Sequence, residues 1–148
     1  MFRQPKHYFL DNRPLHVDAT GKATDKELRV ATTLLLWEMA IADKRIVKAE
    51  YTEIVKLLDR AFQLMDDEAA ELIEIAKVLS QTPEKLEHFV KAISQRFTSE
   101  QRNIICEMVE RVAMADGYLH ETELDFEEYL VTKLRPYLAE RVKLTKAS

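Results

Sequence analysis

Between residues 24 and 135 apolar side chains recur at intervals of three and four, the period of a helix that turns one face to a core. The first helix is expected from about Asp25 to Ala42. A capping box opens it, with Thr24 as N-cap and Glu27 three residues on. Leu28, Leu35, Leu36, Met39 and Ala40 mark its inward face. A second helix follows the turn "DKRIV", from about Lys48 to Leu64, with Ile54, Val55, Leu57, Leu58 and Phe62 inward. "MDDEAAELIEIAKVLSQT" gives a third, with Asp66 or Asp67 near its start, where an anionic group suits the helix dipole. Pro83 opens a fourth, because its missing N–H costs nothing in a first turn. Thr98 and Gln101 form a second capping box, opening a fifth helix that extends through Ala115. Its inward face is Ile105, Met108, Val109, Val112 and Ala113. A sixth runs from about His120 to Leu134, Pro136 obstructs its continuation, and Tyr137 to Lys143 offers a last helical segment. The expected fold is all-α, a compact bundle of about six to seven helices with short connections.

Composition narrows this picture. Residues 1–23 hold Pro5, Pro14 and Gly21 without helical period, so they read as an irregular arm before a helical domain at 24–135. Residues 136–148 form a basic tail. Two glycines in 148 residues leave no supply for Gly-rich phosphate loops and argue against an all-β chain. A single cysteine, Cys106, excludes an internal disulfide and a CxxC site. The longest run of large apolar residues, "LLLW", is far short of the roughly 20 a membrane span needs. With no apolar leader at the start of the sequence, a cytoplasmic address is the expectation. Residues 107–128 carry eight acids and one base, which lowers the prospect of nucleic-acid binding. The basic tail, by contrast, suits acidic partners or lipid head groups at a membrane surface.

The chain also repeats itself. "AIADKRIVKAE" (40–50) and "AMADGYLHETE" (113–123) align at an offset of 73 with four identities in eleven positions. The identities are Ala40/Ala113, Ala42/Ala115, Asp43/Asp116 and Glu50/Glu123. Two pseudo-symmetric helical hairpins are therefore expected, each with small alanines where its helices meet. In each corner the Asp ends one helix and the Glu sits in the first turn of the next, so both carboxylates can converge on the turn.

The phrase A-x-A-D-x-x-[IL]-x-x-x-E, present twice, resembles the TerB-like family named for tellurite-resistance proteins. The resemblance covers roughly residues 25–135. It implies an all-helical fold of two such hairpins and a role in tellurite or chemical-stress resistance. It also implies a metal site, mapping here onto Asp43, Glu50, Asp116 and Glu123. Lys44 stands where the family usually has the glycine of "ADG", and its charge would oppose a cation, so the second copy is the better ligand set.

These residues admit two readings. An Asp in a tight turn and a Glu in a first turn commonly accept backbone N–H groups that lack helical partners. As ligands, their oxygens would select a hard divalent cation, calcium or magnesium, over zinc. The spacing is not that of an EF-hand. The absence of HExxH, GxSxG and Glu-x-x-His removes readily legible enzyme templates. The expectation is a non-enzymatic module acting through protein partners, its paired acidic turns holding either their own backbone amides or a divalent cation, calcium or magnesium. The alternatives are a metal-dependent enzyme using the same carboxylates and an ion-free interaction domain.

Overall fold

The computed structural model describes residues 14–42, 47–65, 67–115, 117 and 121–135. Among these are six α-helices: α1 (Lys26–Ala40), α2 (Lys48–Phe62), α3 (Glu68–Leu79), α4 (Pro83–Arg96), α5 (Ser99–Ala113) and α6 (Glu121–Leu134). The all-α bundle read from the periodicity is the observed architecture. The segment expected at Tyr137–Lys143 and the N-cap candidate Asp66 lie outside the described residues.

α1 is the axle of the bundle and packs against each of the other five helices. Its sequence, KELRVATTLLLWEMA, is apolar nearly all round, the pattern of a helix enclosed by others. Val30, Ala31, Leu34 and Trp37 are buried along with the five inward residues named from the period. Two hydroxyls in this core turn back on their own helix. Thr32 Oγ1 donates to the Leu28 carbonyl at 2.9 Å and Thr33 Oγ1 to the Arg29 carbonyl at 2.7 Å, so neither is buried unsatisfied. Trp37 is a packing residue, with the Lys77 ammonium 5.5 Å from its ring centre.

The N-cap of α1 is Asp25, not Thr24. Asp25 Oδ1 accepts the Leu28 amide at 3.1 Å, and Asp is at least as good a cap as Thr. Thr24 is instead buried, its hydroxyl donating to the Leu15 carbonyl. Glu27 takes no part in a capping box; its carboxylate meets Arg96 at 2.9 Å and His88 at 3.4 Å. The box expected at α5 is present in full. Thr98 Oγ1 accepts the Gln101 amide at 3.1 Å, and Gln101 Oε1 accepts the Thr98 amide at 2.9 Å.

Residues 14–25 contain no helix, yet they are tied closely to the body. Leu15 is fully buried in the common core, and its amide donates to the Ala61 carbonyl. Gln101 Nε2 donates to the carbonyls of Pro14 (3.1 Å) and Val17 (2.7 Å). Arg96, at the end of α4, holds Asp25 at 2.6 Å and Asp18 at 4.0 Å, while its own carbonyl accepts the Ala19 amide. These partners hold the Asp18 and Asp25 carboxyls below the usual carboxylate range. Thr20 is the main cause for the first and Arg96 for the second.

Candidate functional site

The duplicated phrase becomes duplicated structure. α1 and α5 are each 15 residues long, and their bounds differ by the same 73 positions as the sequence repeat. Their ends match bond for bond. Ile41 N donates to the Trp37 carbonyl and Met114 N to that of Glu110; Ala42 N donates to Met39 and Ala115 N to Val112. Small alanines at Ala40 and Ala113, both fully buried, let the second helix of each hairpin come close. Gly117, with φ +87°, adopts a backbone that L side chains rarely take, and its amide donates to the Met114 carbonyl.

Beyond each corner the next helix begins with an acid turned inward. Glu50 and Glu123 occupy the third position of α2 and α6, and they are 1% and 0% exposed. Burying a carboxylate this completely is costly unless it is partnered. For Glu50 one partner is the Val47 amide, which donates to Oε1 at 3.2 Å. This is half of a capping box; valine has no side-chain oxygen with which to make the other half. The cap does not exclude a ligand role, since an ionised carboxylate accepts at both oxygens.

Of the four candidate ligands, Glu50 and Glu123 therefore take equivalent buried places on two hairpins. Asp43 and Asp116 lie outside the described residues, as does His120. Among the described residues no three His, Cys, Asp or Glu side chains gather as metal ligands would. Cys106 is buried, and burial pushes its thiol up to about 11, so it stays protonated and inert at neutral pH.

A family model described as tellurite resistance protein TerB matches residues 29–139. The chain belongs to the TerB family. Neither a curated protein nor a solved structure matches it significantly. The TerB match spans both hairpins and both buried glutamates. It begins three residues inside α1 and omits the arm that packs on Gln101.

Spacing on one helix could not reveal a second group of acids on the same TerB hairpin. Glu127, half-buried on α6, comes close enough to the exposed Glu110 of α5 for the two carboxyls to interact. Its own desolvation, then the neighbouring carboxyl of Glu110, push Glu127 up to about 7, with Arg135 opposing. The two acids lie 17 residues apart, and only the packing of α5 on α6 brings them together. No helix among the described residues is long and apolar enough to cross a membrane.

Proposed function

We propose that this TerB chain is a non-enzymatic helical module of a tellurite or metal stress response. It works through protein contacts and carries a divalent cation, calcium or magnesium, on Asp43, Glu50, Asp116 and Glu123. The observation that supports the cation most is the matched burial of Glu50 and Glu123, one residue of the same type at the same position of each hairpin. A fold needing only a helix cap has cheaper choices, since an exposed Ser, Thr or Asp satisfies a first-turn amide without moving a charge out of water. An all-oxygen donor set selects a hard cation, whose charge would offset the repulsion between acids at the corner. Lys44 weakens the first copy, so Asp116 and Glu123 are the principal ligands. Bound there, the ion would pin the end of α5 to the start of α6 and set the shape of the surface offered to a partner.

The test is thermal unfolding with and without calcium or magnesium. The native protein is expected to melt higher in the presence of one ion. Asp116→Asn with Glu123→Gln should abolish that rise, and Asp43→Asn with Glu50→Gln should reduce it. A cation response that persists unchanged in the Asp116/Glu123 double variant would overturn the metal assignment.

A further inference from the structure

Where α4 packs against α6, the surface opens into a cavity of about 480 Å³ lined by Glu87, His88, Val90, Lys91, Ser94 and Lys133. That volume falls in the range of about 300–1,000 Å³ typical of small-molecule sites. Glu87, Lys91 and Ser94 follow one another at helical spacing, so they form one stripe down α4, and Lys133 joins them from α6. Val90, buried in the common core, supplies an apolar floor. The polar groups are unequally committed. Glu87 Oε2 accepts the Tyr129 hydroxyl at 2.7 Å and lies 3.5 Å from the Lys133 ammonium. His88 faces Glu27 at 3.4 Å, and Glu27 is itself met by Arg96 at 2.9 Å. The Lys91 ammonium and the Ser94 hydroxyl have no partner among the described residues. At the Ser94 end, Arg102 of α5 donates to the carbonyls of Ser94 (3.3 Å), Phe97 (3.0 Å) and Leu134 (3.0 Å). The carbonyl ends of α4 and α6, whose dipoles would repel an anion, are thereby capped by a guanidinium.

We infer that this cavity binds a small organic anion, a carboxylate or a phosphate ester. The anionic head lies against the Lys91 ammonium and the Ser94 hydroxyl, with Lys133 as the second cation, and the body of the ligand covers Val90. The two unpartnered groups are donors on one helix face, so what completes them is an acceptor, and an anionic one gains charge-assisted hydrogen bonds. Glu87 is the one acid lining the space, and its Oε2 already faces two donors, which leaves it poorly placed to recruit a cation. Its contact with Lys133 instead anchors that ammonium at the wall. The volume exceeds what a bare oxyanion fills, and the apolar floor suits a ligand with a carbon body. Lys133 lies ten residues from Glu123, about 15 Å along α6. The site is therefore separate from the corner acids and takes nothing from their cation.

The experiment is a chemical-shift titration of the isotope-labelled full chain with phenyl phosphate, benzoate and benzylamine, which share a ring and differ in the head. A chelator is present so that no corner cation holds the anions. Phenyl phosphate or benzoate should shift the amides of Val90, Lys91, Ser94 and Lys133 and saturate. The head bound more tightly distinguishes a phosphate ester from an organic acid, and benzylamine should leave these amides unmoved. Lys91→Ala with Lys133→Ala should weaken anion binding at least tenfold, and Ser94→Ala should weaken it about threefold. Glu87→Gln should strengthen it, because it removes a like charge and releases Lys133. Lys56→Ala with Arg60→Ala, exposed cations of α2, should change nothing. Every substituted side chain except Ser94 is exposed, so these variants keep the fold. Failure of both anions to shift these amides would overturn the site. So would tighter binding of benzylamine, which would give the cavity to Glu87 and a cation, or equal weakening by the α2 pair, which would mean diffuse charge attraction.

Discussion

Gln101 does two jobs with one amide. Its Oε1 closes the capping box on Thr98, while its Nε2 supplies both donors to the arm, at Pro14 and Val17. This arrangement also fixes which way the amide faces, because a flipped side chain would turn its oxygen toward two carbonyls. Gln101→Glu tests the second job alone, since a carboxylate keeps the cap but has no N–H to give. The buried carbonyl of Pro14 and the half-buried one of Val17 would face a negative charge, and the expected loss is roughly 2–4 kcal/mol. Urea unfolding measures it, and a loss below about 1 kcal/mol would show that the arm is not held through Gln101. The cap was legible from the Thr98-x-x-Gln101 spacing. The clamp was not, because its partners lie more than 80 residues away and no local pattern links them. The same limit applied at Thr24, where the spacing suggested a cap and a distant carbonyl claimed the hydroxyl.

Helices meet in ways that change what their residues do, and the α5–α6 pair shows it through a proton. Glu127, ordinarily titrating near 4.5, is pushed up to about 7 by burial and by Glu110. The folded state therefore holds this proton more tightly than the unfolded chain does. Its contribution to stability is fully present below about pH 4.5 and is lost as the pH rises through about 7. Glu127→Gln removes the titration and mimics the protonated acid. The variant should match the native protein near pH 5 and exceed it at pH 8, which chemical unfolding across that range would reveal. Parallel stability profiles for the two proteins would refute the upward shift of Glu127. Nothing in the helical period of either segment marks these two residues as neighbours. Only the crossing of α5 and α6 makes one of them half-buried. Glu50 and Glu123 show the reverse case, in which repetition along the chain made the positions conspicuous before any contact was known.

At the scale of the whole molecule, the repeat explains how so much of the fold was readable and where the reading stopped. Two copies of one hairpin doubled the signal for helix, corner and buried acid. The arm belongs to neither copy and has no period, so nothing in the sequence announced that Leu15 completes the core. This has a consequence for where the domain can be cut. A fragment spanning 29–139, the extent of the TerB match, lacks the Asp25 cap of α1 and two of the most deeply buried side chains, Leu15 and Leu28. Losing those two leucines alone removes about 3–6 kcal/mol of apolar burial. Arg96 loses the three carboxylates it meets among the described residues, and Gln101 loses the Pro14 and Val17 carbonyls that take its N–H groups. A domain of this size has only about 5–15 kcal/mol of net stability, so the fragment should be close to unfolded at 37 °C. Circular dichroism and binding of a hydrophobic dye would show it, and restoring residues 14–28 should recover cooperative melting. A fragment that melts within a few degrees of the full chain would mean that the two hairpins carry the core without the arm, and that Leu15 covers the bundle without stabilising it.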